Sequence, residues 1–120
     1  MSHIVSIKTQ VKDAAAVRAG CQRLKLPEPS HRITRIYSRD VEGLTVELPN
    51  WKYPIVCDLT SGELQYDNFG GRWGQEAELH RFLQAYAVEK AKIEGRRQGH
   101  TVHEQALADG SIRVQISVAG

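Results

Sequence analysis

No apolar run in this chain approaches the roughly 20 residues that a helix needs to cross a bilayer, so no membrane span is expected. The start shows no basic-then-apolar leader pattern, and the expected location is cytoplasmic. Cysteine is scarce. Cys21 and Cys57 are the whole supply, too few for a disulfide framework or a zinc-finger pattern. Each falls on the apolar side of an expected element, so both are read as reduced, buried and metal-free. The five histidines, at positions 3, 31, 80, 100 and 103, are scattered. His100 and His103 fall on opposite faces of an expected strand, and Glu76 with His80 forms a one-turn helical pair of the kind usually solvated. No metal and no cofactor is expected.

Catalytic signatures are also missing. Phe69-Gly70-Gly71-Arg72-Trp73-Gly74 is glycine-rich but lacks the Lys-Ser/Thr ending of a phosphate loop and the spacing of a dinucleotide fingerprint. Cys57 stands beside Asp58, yet adjacent strand residues face opposite ways and form no dyad.

What is present is a periodic chain of 120 residues with 41% hydrophobic and 25% charged content, the size and composition of one globular domain. The stretch from Glu76 to Val118 carries the clearest pattern. Leu79, Phe82, Leu83, Tyr86, Lys90 and Ile93 recur at helical spacing. Glu76 and Glu78 open that helix and Arg96 and Arg97 close it, matching its dipole. Gly99 is placed to end it in a left-handed conformation, while Gly95 costs about 1 kcal/mol against alanine and predicts fraying or a bend. A hairpin follows, His100–Leu107 and Ser111–Val118 around Ala108-Asp109-Gly110. A two-residue turn would set Leu107, Gln105 and His103 opposite Ile112, Val114 and Ile116. A three-residue loop with Gly110 in a bulge would set Ala106, Glu104 and Val102 there. The second register is expected because it places two apolar residues on the buried face and Gly110 at positive φ, although it also turns Glu104 inward.

Upstream, Ile4–Val11 reads as a strand, and Asp13 as the N-cap of a helix carrying Val17, Cys21 and Leu24. Pro27 and Pro29 end that helix. Arg32–Ser38, a turn at Asp40–Gly43, Leu44–Leu48, Tyr53–Leu59 and Leu64–Tyr66 give four consecutive strands. The order β-α-β-β-β-β-α-β-β predicts a single α+β domain over residues 1–120, with a mainly antiparallel sheet and two helices on one face.

Charge is unevenly spread. Eight basic and two acidic residues precede Asp40, against eight and twelve from there on, so the two parts carry +6 and −4. Such asymmetry can mark a polyanion-binding half, with Arg18, Arg23, Lys25, Arg32, Arg35 and Arg39 as the candidates. Aromatic residues make up only 7% of the chain, but Trp51, Tyr53 and Trp73 fall in expected loops, with Arg72 adjoining. Trp, Tyr and Arg are enriched at binding hot spots.

Met1-Ser2-His3 with Ile7-Lys8-Thr9-Gln10, Tyr86-Ala87, the basic helix end before Gly99, and Asp109-Gly110-Ser111-Ile112-Arg113 together resemble the hypothetical chloroplast reading frame thirty-five family, also called domain of unknown function twelve fifty-seven. The resemblance runs the length of the chain, specific at the ends and loose from Pro27 to Trp73. It implies no catalytic residues. It implies a protein partner, an ATPase of the AAA class, near whose genes such genes lie. The expected function is a small cytoplasmic protein-binding or adaptor domain without catalysis, using Trp51, Tyr53, Arg72 and Trp73. A nucleic-acid-binding module using the basic first third is the alternative, and an enzyme using Cys57 the second alternative.

Overall fold

A computed structural model describes residues 4–118; Met1-Ser2-His3, where the family resemblance begins and the first histidine lies, fall outside them. β1 (Val5–Lys8) leads to α1 (Ala14–Arg23). Asp13 Oδ1 accepts hydrogen bonds from the Ala15 and Ala16 N–H groups, satisfying two of the donors a helix start leaves unpaired. Then come β2 (Ser30–Ile36), β3 (Arg39–Val46), β4 (Ile55–Asp58) and β5 (Glu63–Tyr66), a 3-10 turn at Phe69–Gly71, α2 (Glu76–Arg97), β6 (Thr101–Ala106) and β7 (Ile112–Ser117). This is the α+β order read from the sequence. No helix is long and apolar enough to cross a membrane among the described residues.

The first five strands form one antiparallel sheet in the order β1-β5-β4-β3-β2, and β6-β7 form a separate two-stranded sheet. Alternation decides the faces. Leu44, Val46, Ile55, Cys57, Leu64 and Tyr66 point to the first face, where they meet Val17 and Cys21 of α1 and Leu79, Phe82 and Tyr86 of α2. Both helices therefore cover one face. Phe82, Ile55, Leu64, Val17 and Val46 are fully buried, each contributing about 1.5–3 kcal/mol of transfer free energy. Tyr86 also ties α2 to the start of α1: its Oη accepts from the Lys12 and Asp13 N–H groups, each at 3.2 Å.

The β2–β3 turn is not at Asp40–Gly43. It lies at Tyr37-Ser38, between the Ile36↔Arg39 pair, and Asp40 to Gly43 continue β3. Gly43 is there for space: a Cβ would lie 2.6 Å from the Cys57 carbonyl oxygen and 2.7 Å from Val56 Cγ1. β3 pairs with β4 only through Leu44, Thr45 and Val46. The outer half of the hairpin thus runs free of β4 and curls over the second face, where Ile36 and Val41 join Val56, with Ile4 and Tyr53 packed beside them.

α2 closes as its sequence predicts. The His100 N–H donates to Gly95 O and the Gly99 N–H to Arg96 O, with Gly99 at φ 78°, the paired bonds of a Schellman ending. The helix does not fray at Gly95 but continues to Arg97. Gly95 is buried in the helix, and a Cβ there would lie 2.6 Å from Val102 Cγ2. It is the notch into which the C-terminal hairpin packs. The hairpin takes the three-residue-loop register, with Val102↔Ile116, Glu104↔Val114 and Ala106↔Ile112, and Gly110 at φ 89°. Its inner face is shallower than the alternation predicts: Val102 is half-buried, but Ala106, expected on the buried face, is exposed. Ile112 and Val114 are half-buried, but Ile116 and Val118 are 45% and 69% exposed, because the hairpin lies along one helix and extends beyond it without a second layer.

The inward Glu104 has a physical reason. It accepts from Arg23 of α1 and pairs with Lys92 Nζ at 3.1 Å. Hydrogen bonds from Arg23, then Lys92, hold its carboxyl down at about 2. One carboxylate thus joins the hairpin to both helices.

Candidate functional site

Two loops meet at the end of the sheet where β3 passes to β4 and β5 to α2, and the curled β2–β3 turn brings Tyr37 against them. The Lys52 N–H donates to Trp73 O at 2.8 Å, which fixes the β3–β4 loop to the glycine-rich loop. Asn68 organises the latter. Its carbonyl accepts from the Gly71 and Trp73 N–H groups, and its Nδ2 donates to Gly74 O at 3.1 Å. Asp67 Oδ1 accepts from the Phe69 N–H at 3.0 Å. The stretch is a closed loop, with Phe69 in the left-handed region at φ 48°, and not a slack connection. Asp67 is buried, and its Oδ2 has no hydrogen-bond partner among the described residues.

Trp73 is the centre of an aromatic cluster. Phe69 stacks on it with ring centroids 4.7 Å apart, Tyr53 meets it edge-on at 5.6 Å, and Tyr37 from the β2–β3 turn meets it at 5.6 Å. Two cations rest on these rings. Lys52 Nζ stands 4.4 Å from the Trp73 centroid and 5.5 Å from that of Tyr53, and Arg72 Cζ stands 5.2 Å from that of Phe69, within cation–π range. Tyr37 is 52% exposed, and Lys52 and Arg72 are exposed. Neither cation forms an ion pair among the described residues.

Of the four residues singled out from sequence, Tyr53, Arg72 and Trp73 belong to this cluster. Trp51 shares the same end of the sheet, but its ring turns the other way. It packs against the first-face core and meets Tyr66 edge-on at 5.6 Å. Its Nε1 donates to Gln75 O at 3.0 Å, and Gly74 is the residue that lets the indole approach, since a Cβ there would overlap the ring. Trp51 and Tyr53 line a cleft of about 380 Å³, with Leu26 and Leu48 as apolar walls and Lys25 and Lys52 beside them. Sequence reasoning missed Tyr37 and Phe69 as members. Tyr37 reads as a residue near the end of the expected strand Arg32–Ser38, because the turn is expected three residues later than it lies.

Three of the six basic residues singled out in the first third are paired within the fold. Arg23 is engaged by Glu104 and by Glu89 at 3.4 Å, Arg35 pairs with Asp40 at 3.0 Å, and Arg18 with Glu28 at 3.6 Å. Cys57 is fully buried, with its thiol pushed up to about 12 by burial and by Cys21, whose own thiol burial lifts to about 11. Both thiols are free and buried.

Comparison with models of protein families, with curated proteins and with solved structures gives no match to this chain.

Proposed function

We propose that this chain is a small non-catalytic protein-binding domain that docks its partner on the surface formed by Tyr37, Tyr53, Phe69 and Trp73 with Lys52 and Arg72. One observation carries the reading. Four aromatic side chains from three separate segments converge on a partly exposed patch, and two cations lie on them without acidic partners among the described residues. Large rigid aromatics with arginine are the groups that dominate interface energies, and loops held by a sheet are where binding residues concentrate. The family resemblance suggests an ATPase of the AAA class as that partner, and the compartment proposed is the cytoplasm.

Nucleic-acid binding stands second, because half of the basic residues it would use are spent on ion pairs within the fold. An enzyme using Cys57 stands third, because a thiol held at about 12 in the core supplies almost no thiolate at neutral pH.

Affinity capture from source-cell extract tests the reading. The wild-type chain should retain a protein that a Lys52→Glu/Arg72→Glu variant of unchanged melting temperature does not. Retention of the same proteins by both would place the interface elsewhere.

A further inference from the structure

We propose, resting on the docking surface just described, that its occupant is an acidic segment of the protein partner carrying an apolar side chain. The carboxylates would meet Lys25, Lys52 and Arg72, and the apolar side chain would enter the cleft between Leu26, Leu48, Trp51 and Tyr53. Charge and shape both favour this occupant. Three exposed cations border the aromatic end of the sheet, and none has an ion-pair partner among the described residues. Against them stand Glu47, which lines the cleft beside Lys25 and Lys52 without pairing to either, and Glu78, which lines a groove with Arg72 and pairs with Arg81. The local balance is positive. Two of the cations are also pre-positioned: rings under Lys52 and Arg72 hold side chains that would otherwise lose rotamer freedom on binding. Lys25 is held by its backbone, at φ 57° with its N–H donating to Gln22 O. The cleft beside them is walled by leucine and aromatic side chains, which suits an apolar anchor between two carboxylates.

The same geometry disfavours a single-stranded nucleic acid, the other polyanion that arginine and aromatic residues attract. Stacking recognition needs open ring faces. Trp73 already meets Phe69, Tyr53, Tyr37 and the Lys52 ammonium, and Phe69 lies between Trp73 and Arg72. Beside the half-exposed Tyr37 at its edge, what the cluster presents outward is cationic ends.

The test is fluorescence anisotropy on the full chain with three labelled probes: a glutamate peptide with one central leucine, a lysine peptide of equal length with the same leucine, and oligothymidylate of equal charge to the first. The acidic peptide should bind, lose affinity as salt rises, and bind roughly two- to five-fold more weakly to each of Lys25→Ala, Lys52→Ala and Arg72→Ala, all with unchanged melting. Replacing its leucine by glycine should weaken it further. Absence of acidic-peptide binding, or binding indifferent to the three lysine and arginine changes, overturns the inference while leaving the capture result to decide the docking surface. Tighter binding of the lysine peptide, lost in Tyr37→Ala, would keep the surface and refute its acidic occupant. Tighter binding of oligothymidylate, lost in the same cation variants, would overturn both.

Discussion

Gly95 and Glu104 show how single residues acquire meaning from what packs on them. In an isolated helix, Gly95→Ala would add about 1 kcal/mol of stability. Here the new methyl would meet Val102 Cγ2 at 2.6 Å, and overpacking of that kind costs about 1–3 kcal/mol. The expected outcome is a lower urea midpoint for Gly95→Ala, with faster amide exchange in β6 and β7. Glu104 carries a pH signature. Its carboxyl is lowered from the ordinary 4.5 to about 2 by Arg23 and Lys92. A depressed carboxylate contributes stability above its unfolded value and loses it as the pH falls through its folded value. The difference in stability between wild type and Glu104→Gln should therefore be constant above pH 4.5 and shrink between about 4.5 and 2. Urea melts across that window check it, and a difference that grows on acidification would refute the ion-pair account.

At the scale of elements, most of the fold was legible. The order of strands and helices, the Asp13 cap, the Gly99 ending and the hairpin register all follow from local rules: period, capping chemistry and turn length. The β2–β3 turn was not legible, because Gly43 reads as a turn residue and Tyr37 as a strand residue. The deciding fact is a contact distant in sequence, the Cys57 carbonyl against Gly43. Gly95 misled for the same reason. The tie between the helices at Tyr86 also has no local signal. Tyr86→Phe removes the acceptor of the Lys12 and Asp13 N–H groups while keeping the ring, and should cost about 1–3 kcal/mol, the desolvation of donors left unmet. Chemical denaturation measures it, and a change below about 0.5 kcal/mol would mean that water replaces the hydroxyl.

For the whole molecule, the helices cover the first face of the sheet, and the curled β2–β3 hairpin with Tyr53 covers only part of the second, around Val56, where Ser6 and Asp58 stay exposed. The candidate site sits at the seam of that second cover, which is why only part of it could be read from sequence. Trp73 and Arg72 stand out in a glycine-rich loop, whereas Tyr37 reaches the site only through the hairpin's curl. Trp73 then has two duties. Trp73→Ala should cost about 3–5 kcal/mol, as large aromatic truncations in packed sites do, so it cannot report on binding alone. The lysine and arginine resting on the rings can, since exposed charges contribute little to folding. Tyr37, exposed at the edge of the cluster, offers the most direct view. A photocrosslinking phenylalanine placed at position 37 and, in a separate variant, at the exposed Arg113 of β7 would be irradiated in source cells. The account predicts one discrete protein adduct from position 37 and none from position 113. An adduct pattern that is the same from both positions, or a nucleic-acid adduct from position 37, would contradict it.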